Sequence, residues 1–327
     1  MRTIVVGGQY GDEGKGKIVS YLAMKDNPQI VVRGGVGPNA GHQVRVNGKL
    51  YSLRLLPCGF VNSKARLLIG AGVLVDKDVL LKEIELTGAE DRTGIDRNAT
   101  LITPDHKVRD SDENAKKIGT TGSGCGPAMS DRVTRVAKIV ADEPSLSKYL
   151  TDVWKEVNSA KNVLIEGSQG FMLSNIYGTY PFTTSKDTAA STAAADVGLG
   201  PRSIDRVVMV IKAYTTRVGS GPFPDEMSID EAKRLGYQEY GTVTGRARRT
   251  SAALHMEDLK RAAVINSATD IAITKLDVRF KGNERVREFD KLTDEAKDFV
   301  KMVGNQIGVP VTLIGTGADV DDIIDLR

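Results

Sequence analysis

Short apolar runs recur along the chain, and each gives way to a glycine-rich or polar turn. Ile4-Val5-Val6, Ile30-Val31-Val32, Leu67-Leu68-Ile69, Val163-Leu164-Ile165, Val207 to Ile211, Ile271-Ala272-Ile273 and Val311 to Ile314 are such runs. They are too short for helices and mostly rich in β-branched residues, so they predict buried strands. Amphipathic stretches lie between them. Lys15 to Met24 carries Ile18, Val19, Leu22 and Ala23 on one side and predicts a helix. Ser145 to Ala160, with Leu150, Val153, Trp154 and Val157 on one face, predicts another. Alternating strands and helices predict an α/β fold: a large, mostly parallel twisted sheet covered by helices. In such sheets ligand sites gather at the carboxyl ends of the strands, where this chain concentrates its glycines and polar residues.

Composition narrows the classes. A chain of 327 residues with 40% hydrophobic content can bury a substantial core. Its formal net charge of +3, with dispersed basic residues, argues against nucleic acid as a partner. No apolar run approaches a membrane span, and the first residues lack the pattern of a signal peptide. Cys58 and Cys125 make no disulfide framework, which predicts a reducing, cytoplasmic setting. His42, His106 and His255 form no zinc-type spacing. Internal repeats, low-complexity tracts and long linkers are absent, and the chain is expected to form one domain over residues 1–327.

Five constellations carry chemistry. The first run is followed by Gly8-Gln9-Tyr10-Gly11-Asp12-Glu13-Gly14-Lys15-Gly16-Lys17, in which Gly11 to Lys17 meets the phosphate-loop spacing G-x-x-x-x-G-K. Glycines let backbone N–H groups approach an anion, and the helix N-terminus behind them adds a favourable dipole. Ile18 stands where a hydroxyl would hold Mg²⁺, and Asp12 is the nearest oxygen donor. A carboxylate inside a phosphate cradle is repelled by phosphate unless a metal or a proton transfer is involved. The second is Arg33-Gly34-Gly35-Val36-Gly37-Pro38-Asn39-Ala40-Gly41-His42, whose histidine is the best acid or hydrogen-bond donor available. The third, Gly119-Thr120-Thr121-Gly122-Ser123-Gly124-Cys125, suits a phosphate monoester, with Cys125 as a small packed residue. The fourth, Gly241-Thr242-Val243-Thr244-Gly245-Arg246-Ala247-Arg248-Arg249, can clamp carboxylates or phosphates bidentately. The fifth, Thr274-Lys275-Leu276-Asp277, resembles the element with which GTP-binding proteins read guanine. An ionised carboxylate there accepts from guanine N1–H and the 2-amino group, whereas adenine leaves it unpaired.

These segments, together with Glu166-Gly167-Ser168-Gln169-Gly170, Gly178-Thr179-Tyr180-Pro181 and Val218-Gly219-Ser220-Gly221-Pro222-Phe223-Pro224, occur in the order found in adenylosuccinate synthetases. The resemblance covers essentially the whole chain. The compact length, with Arg33 to Gly37 and Leu68 to Leu74, is similar to the short archaeal branch. The resemblance implies a fold related to the phosphate-loop NTPases. It also implies a Mg²⁺- and GTP-dependent ligase that joins L-aspartate to C6 of IMP through a 6-phosphoryl intermediate. Asp12 would take the purine N1 proton and, with Gly41, hold Mg²⁺. His42, Lys15 and Gln169 complete the catalytic set. The purine nucleotide would meet Asp12, Asn39, Thr121, Gln169, Thr184, Val218 and Arg246, with Arg135 supplied by the neighbour in a homodimer. GTP would meet Glu13, Gly14, Lys15, Gly16, Lys17, Gly41, His42, Arg248, Lys275, Asp277, Gly315 and Gly317. Aspartate would meet Thr242, Thr244, Arg246 and Arg248.

The chain also departs from the family pattern. Tyr10 replaces a tryptophan, and Asp225 a threonine. Gly315 replaces a frequent serine, and Ser251-Ala252-Ala253-Leu254 stands where Gly-Trp-[Leu/Phe]-Asp is usual. A phage branch of the family ligates aspartate to dGMP, which makes the same chemistry on dGMP or GMP, in a host cytoplasm, the alternative reading. Retention of Asp12, Lys275 and Asp277 favours IMP and GTP. A GTP-binding switch without ligase chemistry is a third reading. It predicts no second nucleotide site, and Thr121, Gln169, Thr184 and the arginine loop speak against it.

Overall fold

The computed structural model describes residues 1–241 and 245–327. Ten strands form one sheet in the order Ile323–Asp325, Val311–Gly315, Asp270–Thr274, Arg206–Lys212, Arg2–Gly7, Val163–Glu166, Ile30–Arg33, Arg66–Ile69, Thr93–Asp96 and Leu150–Thr151. Neighbours run parallel, except that Val311–Gly315 and Ile323–Asp325 are antiparallel. The expected α/β class with a large, mostly parallel sheet is the observed one. All seven apolar runs singled out in the sequence are strands of it.

The sheet is buried on both faces, as parallel sheets are. Strand alternation divides it between two cores. Ile4, Val6, Ile165, Met209, Ile211 and Ile273 face the helices Ala190–Asp196, Met256–Asn266 and Asp294–Ile307. Val5, Leu164, Val208, Val210 and Ala272 face the opposite side, where Ile18, Val19 and Leu22 of the Lys15–Lys25 helix pack. Each fully buried Val or Ile contributes about 1.5–3 kcal/mol relative to exposure.

The helix expected over 145–160 is corrected by the structure. A 3₁₀ turn spans Pro144–Tyr149, Leu150–Thr151 joins the sheet edge beside Ile95 and Asp96, and only Val153–Ser159 is α-helical. Asp96 Oδ2 accepts the Val153 N–H at 3.2 Å, so the helix starts there. Edge pairing outweighs the helical periodicity at Leu150, and Trp154 lies 53% exposed rather than on the core face.

Because the central strands run parallel, the loops after Gly7, Arg33, Glu166, Lys212, Thr274 and Gly315 open at one end of the sheet. Arg2–Gly7 has Arg206–Lys212 on one side and Val163–Glu166 on the other, so its loop sits centrally.

Candidate active site

The phosphate loop folds around a buried carboxylate. Glu13 is fully buried; its Oε1 accepts the N–H groups of Gln9 (3.1 Å) and Gly11 (2.9 Å), and its Oε2 pairs with Lys15 Nζ at 2.6 Å. Gly14 caps the helix at φ 86°, in the left-handed region that glycine adopts without penalty. Gly170 is needed for close approach, since a Cβ there would stand 2.2 Å from Glu13 Oε1. Asp12, at φ 58°, also adopts the left-handed form and carries its carboxylate on the cavity wall. Arg248 Nε lies 2.5 Å from Asp12 Oδ2, an ion-pair contact without hydrogen-bond geometry. The buried Nη1 of Arg248 has no hydrogen-bond partner among the described residues. Lys17 Nζ donates to the carbonyls of Gly317 (2.6 Å) and Asp322 (2.8 Å). Burial lowers its pKa to about 8.

His42 opens the His42–Val46 strand and is buried. Its Nδ1 is hydrogen-bonded to Glu166 Oε1, and Arg33 Nη1 stands 2.9 Å from the same ring nitrogen. Arg33 donates to Glu166 Oε1 at 2.8 Å, and the Cys58 N–H donates to Oε2 at 2.7 Å. Burial and the Arg33 charge lower the His42 pKa to about 4, so the ring is neutral at pH 7. Burial raises Glu166, but Arg33 and His42 outweigh it and bring it down to about 2. Glu166 is therefore an anion that accepts from Nδ1–H and leaves Nε2 as the acceptor. His42, Cys58 and Glu166 converge as a metal site would, but the guanidinium of Arg33 already supplies the positive charge there.

The second phosphate-type end is a chain of polar side chains. Gln169 Nε2 donates to Asn39 Oδ1 at 2.8 Å, and Asn39 Nδ2 donates to Thr184 Oγ1 at 3.0 Å. Thr121 and Ser123 hydroxyls are 2.8 Å apart, and Arg54 Nη2 donates to Ser123 at 3.0 Å. Burial pushes the Cys125 thiol up to about 12, consistent with a packed residue and not a nucleophile. At the guanine-type end, Thr274 Oγ1 donates to the Glu13 carbonyl at 2.6 Å, which ties the two loops together. Asp277 Oδ1 is buried without a hydrogen-bond partner among the described residues, and burial raises the carboxyl's pKa. Such an orphaned acceptor is costly in a folded chain and suits a ligand that brings donors.

One cavity of about 1290 Å³ joins these ends. Its wall includes Asp12, Gly14, Lys15, Gly16, Lys17, Asn39, Gly41, His42, Thr121, Gln169, Thr184, Val218, Arg248, Lys275 and Gly317. That volume exceeds the roughly 300–1000 Å³ of a typical single-ligand site, so it admits more than one substrate. Glu13, Asp277 and Gly315 neighbour wall residues without lining it. Arg246 Nη2 donates to the carbonyls of Gly119 (3.1 Å) and Thr120 (2.9 Å) and so anchors the arginine loop to the monoester loop. Arg135 is exposed at the end of the Cys125–Thr134 helix and does not line its own chain's cavity. Thr242 and Thr244 lie outside the described residues.

The sequence reading assigned no role to Arg33 and Glu166. Both end apolar strands and face each other in register across the sheet. A charge closing an apolar run was the available signal, but their pairing depends on strand order. Lys212, at a strand end, and Glu239, outside any strand, were missed because their contact joins positions 27 residues apart.

Comparison with known proteins agrees with this geometry. The adenylosuccinate synthetase family model matches residues 4–145 and 139–284. The adenylosuccinate synthetase of Methanosphaera stadtmanae is 52% identical over 334 residues, covering 99% of this chain and 98% of that protein. A fully ligated adenylosuccinate synthetase from Plasmodium falciparum superposes with a TM-score of 0.93 at 28% identity, covering 99% of each chain. The cyanophage S-2L succinoaminodeoxyadenylate synthetase, bound to dGMP and to dATP as an energy donor, has a TM-score of 0.83 at 25% identity, covering 100% of this chain and 95% of that one. With identity at this level over nearly the full length, and with the phosphate, guanine-type and monoester loops around one cavity, the chain belongs to the adenylosuccinate synthetase family and fits its archaeal branch.

Proposed function

We propose that the chain, as one domain over residues 1–327, uses GTP to join L-aspartate to C6 of IMP, giving adenylosuccinate, GDP and phosphate. The observation that carries the reading is one cavity whose wall brings Asp12, His42 and the Asn39–Thr184 pair together with Lys275, two residues before Asp277 and its buried, unpartnered Oδ1. In this scheme Asp12 takes the N1 proton of IMP. The O6 oxygen attacks the γ-phosphorus, and GDP leaves. The amine of aspartate then displaces phosphate from C6 and loses a proton. The charge of the arriving γ-phosphate favours the imidazolium of His42, whose Nε2–H then donates to the transferring phosphoryl oxygens. Lys15, held by Glu13, and Lys17 spread the same charge. Gln169 orients the base, and Asn39, Thr121 and Thr184 hold the 5′-phosphate.

The oxygen donors suit Mg²⁺, a hard cation usually held by one or two carboxylates and substrate phosphates. Asp12 has a second carboxylate oxygen besides the one near Arg248, and Gly41 lines the same cavity. When bound there, the ion would neutralise phosphate charge.

GTP is favoured over the dATP of the phage enzyme as energy donor by Asp277, whose buried acceptor matches the N1–H and 2-amino donors of guanine and has no match on adenine. Exposed Val133 and Val136 flank exposed Arg135, which supports a homodimer in which Arg135 reaches the neighbour's cavity. No helix of the described residues is long and apolar enough to cross a membrane, and we place the enzyme in the cytoplasm. The test is phosphate release with GTP, Mg²⁺ and aspartate, offering IMP, GMP, dGMP or dIMP singly. Release with IMP is expected. None with any nucleotide overturns the ligase reading, and dGMP turnover equal to or above that with IMP overturns the substrate.

A further inference from the structure

Glu239 precedes the arginine loop and belongs to none of the sequence motifs, yet its contacts reach both ends of the chemistry. Its Oε2 accepts Lys212 Nζ at 2.7 Å, and its Oε1 accepts the Tyr214 hydroxyl at 2.6 Å. The same Oε1 stands 3.5 Å from Lys275 Nζ, two residues before Asp277 and its unpartnered Oδ1. Its backbone carbonyl accepts the Arg248 N–H at 2.8 Å and Gln238 Nε2 at 2.8 Å. Beyond that root Tyr240 bridges Ala247, and the Gly241 N–H donates to the Arg246 carbonyl at 2.9 Å. Arg248 in turn touches Asp12.

The carboxylate is rigidly backed. Lys212 is fully buried, and the rings of Tyr214 and Tyr237 stack 4.4 Å apart. Burial raises the Glu239 carboxyl, but Lys212 and Lys275 outweigh it and bring it down to about 2, so it is an anion at any working pH. Lys275, by contrast, has a side chain 47% exposed and is the most exposed member of the cluster.

We propose that Glu239 is a positioning residue that ties Lys275, at the guanine end, to the root of the arginine loop, so that guanine nucleotide and L-aspartate strengthen each other's binding. The proposal rests on the reading that the arginine loop holds aspartate. Guanine nucleotide fixes Lys275, Lys275 fixes the Glu239 carboxylate, and the Glu239 backbone fixes the strand of the loop that carries Arg248. Coupling of this kind is reciprocal, and each ligand must tighten the other by the same factor.

The test is calorimetric titration of L-aspartate into protein saturated with IMP and Mg²⁺, with and without GDP, which lacks the transferable phosphate. In the wild type GDP is expected to tighten aspartate by about 5-fold or more, and aspartate to tighten GDP equally. In Glu239→Gln both factors are expected to fall below about 2-fold while IMP affinity is unchanged. Because that variant leaves Lys212 buried without its anion, Lys212→Met/Glu239→Gln is measured beside it, and the same loss is expected. Full coupling in both variants, or none in the wild type, overturns the proposal. Aspartate that binds without coupling overturns it alone, whereas aspartate that binds in no mixture overturns the amino-acid reading of the loop as well.

Discussion

Asp277→Asn tests the guanine end most directly. In the wild type Asp277 Oδ1 is buried and unpartnered, and the Lys275 and Lys17 charges act on the carboxyl. Guanine would bring two donors, N1–H and the 2-amino group, to this carboxylate. Asparagine keeps one acceptor and turns an NH₂ toward the 2-amino group. One charge-assisted hydrogen bond is then lost, at roughly 1.5–3 kcal/mol, and two donors face each other unpaired, at about 1–3 kcal/mol more. Taking about 3–4 kcal/mol in all, kcat/KM for GTP should fall about 10²- to 10³-fold. Xanthine carries an oxygen where guanine carries the 2-amino group, so the same variant should use XTP better than the wild type does. Steady-state kinetics with GTP, ATP and XTP at fixed IMP, aspartate and Mg²⁺ measures this. If Asp277→Asn keeps kcat/KM for GTP within about threefold of the wild type, or gains nothing with XTP, Asp277 does not read the base.

Asp12→Ala should lower phosphate release with GTP and IMP by about 10²-fold or more, the span of a lost general base, while the melting temperature stays close to the wild type. Turnover above a tenth of the wild-type rate removes Asp12 from that role. Lys17, lowered to about 8 by burial, is charged below that pH and neutral above it in the free protein. kcat/KM for GTP should therefore fall as pH rises through about 8, and Lys17→Arg should carry the limb upward; a profile flat to high pH refutes it. His42 has a folded pKa of about 4 against 6.5 for the free side chain, so its neutral form favours the folded state above 6.5 and that contribution is lost as pH falls from 6.5 through 4. His42→Asn should flatten the fall in melting temperature over that window, and an unchanged slope would show that the ring is not its source.

What was legible in the sequence is what local pattern encodes. The Ile4 to Val6 run, the glycine density from Gly8 to Gly16 and the polar stretches after each strand fixed the class of fold and the end of the sheet where chemistry collects. The 145–160 segment was not legible, because Leu150 and Thr151 take their conformation from strand Thr93–Asp96, more than fifty residues away in the chain. The same limit hides the site's electrostatics. Arg33 and Glu166 become partners only when their strands become neighbours; burial and the Arg33 charge then keep His42 neutral, and Glu166 fixes its Nδ1 proton. From the sequence, Lys15 and Lys17 are two cations expected to meet GTP. Folding instead gives Lys15 to Glu13 and Lys17 to the carbonyls near Gly317, so both are positioned before any anion arrives. The awkward carboxylate of Asp12 follows the same logic. Next to phosphate alone it would be repelled, but Arg248, brought from 236 positions later in the chain (248 − 12), supplies a counter-charge that no local motif contains. Motifs thus specify which groups the site holds, and strand order specifies the charge each one meets.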